Sequence, residues 1–136
     1  MGYAAAEKTT IERMTLHQPP WSVNMLAQRA AVAALGDEQH SARSLTFMNE
    51  ERARFVKALT GLPGYALFPS MANFILMELP AGQRAADAAA ALRLQGILIR
   101  DCSEVPGLND RSVRVAVRTR SENERLMRAL KAVIHN

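Results

Sequence analysis

The sequence predicts an α+β fold. Two helices precede a small, mostly antiparallel sheet covered by helices, which gives a two-layer sandwich. In the first half, apolar residues recur with helical spacing. After residue 61, short runs of strand-forming residues appear between turns and two helical stretches. The resulting order, α-α-β-β-α-β-β-α, lacks the strict strand–helix alternation of a parallel sheet. The chain has 136 residues, 49% of them hydrophobic and 22% charged, which is enough for one domain with its own core.

The amino-terminal part is predicted to be helical. A short helical stretch is expected around residues 6–14, and Pro19 and Pro20 then interrupt the chain because a prolyl ring cannot continue a helix. The alanine-rich run that follows is the first of the two main helices. Its expected N-cap is Ser22, and its expected C-terminal cap is Gly36.

The second main helix is expected over residues 37–60, and "GLPG" then stops it. One face of this helix carries apolar residues at helical spacing and is interrupted by the charged Arg52. This predicted buried stripe consists of Leu45, Met48, Phe55, Val56 and Leu59. The predicted outer face carries charges of both signs, from Glu50, Glu51, Arg52, Arg54 and Lys57.

The carboxy-terminal half is predicted to form the sheet and its covering helices. Strands are expected at residues 65–68, 73–79, 97–102 and 112–118, and helices at 82–96 and 121–134. Ser121 and Glu124 have the spacing of a capping box at the start of the last helix. The apolar face of that helix consists of Leu126, Leu130, Val133 and Ile134.

Composition and residue spacing argue against several classes of function. No apolar run approaches the roughly 18 residues that span a bilayer. The first ten residues lack the pattern of a secretory signal. We therefore expect no membrane partner and a cytoplasmic protein. The histidines His17, His40 and His135 are far apart in the chain, so no metal site is expected. Cys102 ends a predicted strand and is interpreted as a small buried side chain rather than a nucleophile.

The net charge of +4 raises the question of nucleic-acid binding. The 17 Lys and Arg residues are, however, interleaved with 13 acidic residues, and only 5% of the chain is aromatic. A sheet that reads nucleic acid normally has aromatic side chains beside its basic ones, because the bases stack on them. The composition therefore does not favour a nucleic-acid partner.

Two arginines on neighbouring predicted strands are the strongest candidates for a binding site. Arg114 lies opposite the valine face of "VRVAVR", and Arg100 ends the strand "ILIR". The loop between these strands is long enough to let them pair, so that both guanidinium groups can converge on one anion. The planar fork of arginine matches carboxylate and phosphate groups. A solvated sheet face remains the alternative interpretation. The three lysines, Lys8, Lys57 and Lys131, show no sign of the desolvated surroundings of a Schiff-base lysine.

Three segments of the chain resemble a known family. They are "PPWSVNMLAQRAAVAAL", "LTGLPGYALFPSMANFILMEL" and "GILIRDCSEVPGLNDRSVRVAVRTRSENERLMRAL". They are similar to the carboxy-terminal portion of class I/II aminotransferase-like enzymes that use pyridoxal phosphate. Within this family they most resemble the threonine-phosphate decarboxylase branch of cobalamin biosynthesis, with the histidinol-phosphate aminotransferases as near relatives. The resemblance implies the small domain of a fold-type I enzyme. Residues 1–60 would then form interdomain helices, and residues 61–136 the sandwich.

The resemblance also implies roles for individual residues. Arg114 would anchor an anionic group of the substrate, and Arg100 would hold the neighbouring one. Arg118 matches the pattern of the decarboxylase branch and is a possible supporting residue. Asn24 and Asn73 would fix loops and interdomain contacts. The substrate implied is a small anionic amino-acid phosphate, and the domain would close over it.

One departure from the family pattern concerns the cofactor. In the family, the Schiff-base lysine lies in a motif that runs on to an arginine and then "GY", and this chain begins Met1-Gly2-Tyr3. We therefore expect the lysine and the large cofactor-binding domain to lie outside this chain. The chain itself would then contain no catalytic or cofactor-binding residue, and it would be inactive alone.

The missing large domain would leave a docking face exposed. Trp21, Val23 and Met25 are the candidates for part of that face, and self-association through it is expected. Two alternatives remain open: a fragment of a histidinol-phosphate aminotransferase-like transaminase, and a free-standing small-ligand binding or regulatory module.

Overall fold

A computed structural model describes residues 3–133 of the chain. Within these residues, five helices and four strands occur in the order α1 Lys8–Leu16, α2 Met25–Gly36, α3 Glu38–Thr60, β1 Ala66–Leu67, β2 Phe74–Glu78, α4 Ala85–Leu94, β3 Arg100–Asp101, β4 Ser112–Ala116 and α5 Arg120–Val133. The described residues form two compact units, and the boundary between them falls within α3, between Arg43 and Ser44. No helix in the described part is long and apolar enough to cross a membrane.

The first unit contains α1, α2 and the start of α3. The start of α2 is set by Asn24, because the Ala27 N–H donates to Asn24 Oδ1 at 2.8 Å. The prediction that Ser22 caps this helix is therefore wrong, and Ser22 Oγ instead accepts a hydrogen bond from Gln18 Nε2 at 2.6 Å. The helix does end at Gly36, but the C-cap position belongs to the next residue, Asp37.

The second unit contains a four-stranded antiparallel sheet in the order β1-β2-β4-β3. The central pair, β2 and β4, is aligned over five residues, from Phe74 opposite Ala116 to Glu78 opposite Ser112. The outer strands are shorter than predicted. β3 pairs with β4 only at Arg100 and Asp101, and the preceding Ile97 N–H donates to the Leu92 carbonyl at the end of α4. The residues before β3 thus close the helix instead of extending the strand.

Helices α3, α4 and α5 contribute to a single apolar core on one face of this sheet, which confirms the α+β sandwich. The largest fully buried side chains of the core are Phe55, Leu59, Ile75, Met77, Leu79, Leu92, Leu130, Val113 and Val115. Burying a side chain of this size stabilises a fold by about 1.5–3 kcal/mol relative to exposure.

The predicted apolar stripes of the helices are largely confirmed. On α3, Phe55 and Leu59 are buried, and Met48 and Val56 are partly buried against the core, whereas Leu45 is 66% exposed. The prediction that Leu45 is buried is therefore wrong. Leu45 lies near the amino-terminal boundary of the second unit. On α5, the described members of the stripe, Leu126 and Leu130, are buried. The Val133 side chain and Ile134 lie outside the described part.

One charged residue of α3 is not on the outer face where the pattern predicts it. Glu51 is only 4% exposed. Its carboxylate accepts a hydrogen bond from Asn123 Nδ2 at 2.9 Å and pairs with the Arg54 guanidinium. Burial of a carboxylate requires such partners, since an unpaired charge inside a protein is very costly. Glu51 therefore links α3 to the start of α5.

Candidate anion-binding site

Arg100 and Arg114 lie directly opposite each other on neighbouring strands. They are Cα partners in the antiparallel pairing of β3 with β4. Residues in this relation project from the same face of a sheet, with Cβ atoms about 5 Å apart. The residues flanking Arg114, Val113 and Val115, point into the core, so both arginines project from the opposite, uncovered face. The tertiary structure thus brings together the two arginines singled out in the sequence.

Neither guanidinium group is paired directly with an acidic side chain among the described residues, although the adjacent Asp101 carboxylate interacts with the charge of Arg100. Over residues 3–133, no carboxylate forms a salt bridge with either, although other arginines are paired in this way. Arg111 Nη2, for example, lies 2.9 Å from Glu78 Oε2. Like charges directly opposite each other destabilise a sheet. The pair therefore concentrates positive charge on an open face, and an anion bound there would relieve the repulsion.

An aromatic ring lies beneath one of the two arginines. The guanidinium carbon of Arg114 is 4.7 Å from the centroid of the Phe74 ring. Phe74 is on β2 and opposes Ala116, whereas Arg114 opposes Leu76, so ring and guanidinium are diagonal neighbours on the same sheet face. The sequence analysis did not identify Phe74, because this contact depends on the register between two strands 40 residues apart.

Arg100 is carried by a short strand whose far end is fixed by the following loop. The Cys102 N–H donates to the Ser112 carbonyl at 2.9 Å. The Ser103 N–H donates to Asp101 Oδ1 at 2.9 Å. This backbone bond is the main cause that lowers the pKa of the Asp101 carboxyl. Cys102 is buried, in agreement with its interpretation as a small core residue.

Arg118 differs from the other two arginines because its charge is compensated. It follows the end of β4 by two residues, and its Nε and Nη2 atoms donate to Glu122 Oε1 at 3.3 and 2.9 Å. This pairing is the main cause that lowers the pKa of Glu122 to about 2, with hydrogen bonds from Thr119 adding to it. The same pairing raises the pKa of Arg118. Its role as a supporting residue for a ligand stays a prediction.

The capping contact at the start of α5 lies two residues earlier than predicted. The Thr119 N–H donates to Glu122 Oε2 at 3.2 Å, which is the reciprocal bond of a capping box. The Thr119 hydroxyl also donates to the same oxygen, at 2.6 Å. The prediction that Ser121 and Glu124 form this box is wrong, because α5 begins at Arg120 and Ser121 already lies inside it.

The two asparagines named from the sequence lie in different units. Asn73 immediately precedes β2, and its carbonyl accepts a hydrogen bond from the Val117 N–H at 2.8 Å, which extends the β2–β4 pairing. Asn24 caps α2 in the first unit. Any role of either side chain in interdomain contacts stays a prediction.

The loop before β2 is held by Arg52, which the sequence pattern indicated only as an interruption of the α3 stripe. Its Nη1 donates to the carbonyls of Met71 and Ala72 at 3.2 and 3.3 Å, and its Nη2 donates to Asn49 Oδ1 at 2.8 Å. Arg52 therefore fixes the segment that leads into Phe74. The position of a charged residue in an apolar stripe was the available signal for this contact. The two carbonyl groups that Arg52 binds, however, lie 19 and 20 residues further along the chain.

The fold and the arginine pair together define an α+β domain with one open sheet face that carries a candidate anion site. The family model described as "Aminotransferase class I and II" matches residues 1–130. The chain therefore belongs to this family, whose members depend on pyridoxal phosphate.

Individual relatives agree with this assignment. The chain is 38% identical over 135 residues to threonine-phosphate decarboxylase of Salmonella typhimurium, covering 98% of this chain and 36% of the relative. Its fold is similar to the structure of histidinol-phosphate aminotransferase from Clostridium acetobutylicum, with a TM-score of 0.82, 32% identity, and coverage of 95% of this chain and 39% of that one. The structure of L-threonine-O-3-phosphate decarboxylase from Porphyromonas gingivalis gives a TM-score of 0.79 and 29% identity, with coverage of 96% and 40%. The chain thus spans little more than a third of the length of these relatives.

Among the described residues, no lysine has surroundings that fit the covalent attachment of pyridoxal phosphate. A Schiff-base lysine is activated by a desolvated pocket or by a neighbouring cation. Lys8 is largely exposed, with its Nζ 3.8 Å from Glu12 Oε1, and Lys57 and Lys131 are exposed on α3 and α5. No chemical step on the cofactor is therefore assigned to residues 3–133.

Proposed function

We propose that this chain is the substrate-clamp portion of a pyridoxal-phosphate enzyme that resembles threonine-phosphate decarboxylase. Arg100 and Arg114 bind the anionic groups of an amino-acid phosphate. The observation that carries the proposal is the direct cross-strand pairing of two arginines, neither of which has a carboxylate partner among the described residues. Each guanidinium can give two parallel hydrogen bonds to a phosphate or a carboxylate, and this fixes orientation as well as position.

The chemistry of the substrate favours the decarboxylase over the aminotransferase. Threonine phosphate carries a phosphate and a carboxylate, so it offers one anionic group to each arginine. Histidinol phosphate carries its phosphate as an ester of its single hydroxyl group and has no carboxylate, so it offers only one such group. A part in cobalamin biosynthesis and a cytoplasmic location follow from the same resemblance and belong to this proposal.

Titration of the ¹⁵N-labelled chain with O-phospho-L-threonine tests the clamp. We expect chemical-shift changes around β3 and β4, and an affinity that falls about tenfold or more in Arg100→Gln and in Arg114→Gln, since hydrogen bonds to charged groups contribute roughly 1.5–3 kcal/mol. Arg93→Gln is the matched control, because Arg93 is exposed on α4. Histidinol phosphate should bind more weakly. Unchanged affinity in both arginine variants would contradict the clamp.

The proposal also holds that the chain has no activity alone. Mixing it with pyridoxal phosphate and reducing with borohydride should trap no adduct at one particular lysine. Trapping at a single lysine together with release of carbon dioxide from threonine phosphate would overturn this part of the proposal.

We propose further that an apolar surface of the first unit packs against the remainder of such an enzyme. We call it the Trp21 surface, and it consists of Trp21, Met25, Leu26, Val32 and Leu35. Trp21 is 93% exposed and Met25 is 70% exposed, whereas Val23, also predicted for this face, is half-buried. No residue of α2 is buried, so the apolar side chains of this helix are left largely exposed. In the relatives, almost two thirds of the length lies outside the matched region. We infer that this remaining part of the enzyme packs on the Trp21 surface.

The backbone at Trp21 supports the same proposal. Its φ is 63°, a left-handed conformation that is unfavourable for a bulky residue. The indole is exposed, so its own packing within the first unit does not explain this conformation. A partner that received the indole would supply the missing contacts.

A further inference from the structure

Phe74 lies on the open sheet face, where its ring contacts one member of the arginine pair. Its ring lies under Arg114 at 4.7 Å, on the side of β4 away from Arg100. The residue opposite it, Ala116, has only a methyl side chain, which leaves room over the ring. Phe74 is 37% exposed, so the ring is a surface feature and not a core residue.

The position of the ring matters because of the repulsion between the two guanidinium groups. Arg114 opposes Arg100 on β3, and like charges in this relation push each other apart. The face of an aromatic ring attracts a cation that lies within about 6 Å of its centroid. In the strand order β2-β4-β3, this attraction draws the Arg114 guanidinium toward β2, away from β3.

The segment that carries Phe74 is itself fixed. Arg52 holds the carbonyls of Met71 and Ala72 just before β2. The Asn73 carbonyl accepts from the Val117 N–H at 2.8 Å. These contacts fix the residues that lead directly into Phe74, and so they fix the place of its ring beside the long side chain of Arg114.

We infer that Phe74 is a positioning residue: its ring holds the Arg114 guanidinium apart from that of Arg100 before any anion arrives, and so keeps the Arg114 guanidinium in place to bind an anionic group. This inference rests on the proposed function, because it assumes that the arginine pair binds an anion. The contact between Phe74 and Arg114 is present in the ligand-free chain. Arg114 then binds a phosphate or a carboxylate without prior rearrangement, which strengthens binding because less side-chain entropy is lost.

The test compares Phe74→Leu, which removes the ring but keeps an apolar side chain, with Phe74→Tyr, which keeps the ring. Phe47→Leu is the matched control, because it removes a ring of similar exposure, 46%, from α3. The Arg114 Nε–Hε signal, assigned by its loss in Arg114→Lys, is followed by NMR in the ligand-free chain. Protons over a ring face are shifted upfield by the ring current. We expect this shift to be lost in Phe74→Leu and kept in Phe74→Tyr and Phe47→Leu.

Titration with inorganic phosphate forms the second arm. We expect affinity to fall about threefold to fivefold in Phe74→Leu, as the strength of an exposed cation–π contact implies, and to recover in Phe74→Tyr. An Arg114 signal that Phe74→Leu leaves unchanged would overturn the inference, as would a loss of affinity that Phe74→Tyr does not restore. If the Arg114 signal responds but the wild-type chain binds no phosphate, the contact stands and the proposed clamp fails. The two arms therefore separate the inference from the function on which it rests.

Discussion

Asn123 and Glu51 form a buried hydrogen bond between residues 72 positions apart, with Asn123 Nδ2 donating to Glu51 Oε1 at 2.9 Å. The same Asn123 side chain accepts from the Arg118 N–H at 3.0 Å and donates to the Arg118 carbonyl at 2.9 Å. One amide group thus ties the end of β4 to both α3 and α5. Loss of this side chain leaves buried polar groups without partners.

We therefore predict that Asn123→Ala lowers the free energy of unfolding by about 2–4 kcal/mol, because an unsatisfied buried partner costs roughly 1–3 kcal/mol. Urea denaturation measures it. Glu51→Gln should cost less than Glu51→Ala, since the glutamine oxygen can still accept from Asn123. Glu50→Ala, an exposed neighbour on the same helix, is the control and should change little. Additive effects in the Glu51→Ala, Asn123→Ala double variant would contradict the direct coupling.

The pairing of Glu122 with Arg118 predicts a dependence of stability on pH. The pKa of Glu122 is lowered from 4.5 to about 2 in the folded chain, mainly by the Arg118 hydrogen bonds. A lowered folded-state pKa means that the stabilising contribution is present in full above pH 4.5 and is lost as pH falls toward 2. The difference in urea midpoint between wild type and Glu122→Gln should therefore shrink over that range. A side-chain carboxyl ¹³C titration should place the midpoint for Glu122 near 2; a midpoint near 4.5 would refute the pairing in solution.

The N-cap of α2 gives a prediction about local stability. Asn24→Ala removes the acceptor of the Ala27 N–H, and loss of such a cap typically costs about 1 kcal/mol of helix stability. Because no residue of α2 is buried, we expect the effect to be confined to this helix. Amide hydrogen exchange should become faster at Ala27 and through the first turn. Ser22→Ala is the control and should leave exchange in α2 unchanged; the reverse pattern would restore Ser22 as the cap.

The Trp21 surface predicts that the isolated chain associates with itself at high concentration, because apolar side chains that dock on the remainder of the enzyme are otherwise left in water. Sedimentation velocity over a concentration series measures this association. Trp21→Ser and Met25→Ser should weaken it. Met71→Ser, which changes a methionine that is 90% exposed in the second unit, should not. A strictly monomeric wild-type chain at high concentration would count against the surface.

The comparison between sequence and structure shows which kinds of contact a pattern can predict. Helical and strand periodicities predicted the type and order of the elements correctly, because each reflects one face turned toward a core. The positions of caps were less predictable. Thr119–Glu122 and Ser121–Glu124 both have capping-box spacing, and the choice between them depends on where β4 ends and on the hold of Asn123 on Arg118.

Burial of Glu51 and the loop contacts of Arg52 were also beyond the sequence pattern. On a helix, both residues have the charged character of an outer face, and only the approach of distant segments gives them partners. A charged side chain can be buried when such partners surround it. The spacing of residues along the sequence does not indicate these distant partners.

The sequence by itself determined the elements, the α+β class and the face of β4 from which Arg114 projects, because side chains alternate along a strand with a period of two. Only the tertiary structure decided that Arg100 stands opposite Arg114 and that Phe74 lies beneath it. Register between strands is set by the turns and the core that join them, so a shift of one residue would turn the paired side chains to the other face. The candidate site therefore depends on strand pairing, although Arg100 and Arg114 were already recognisable in the sequence.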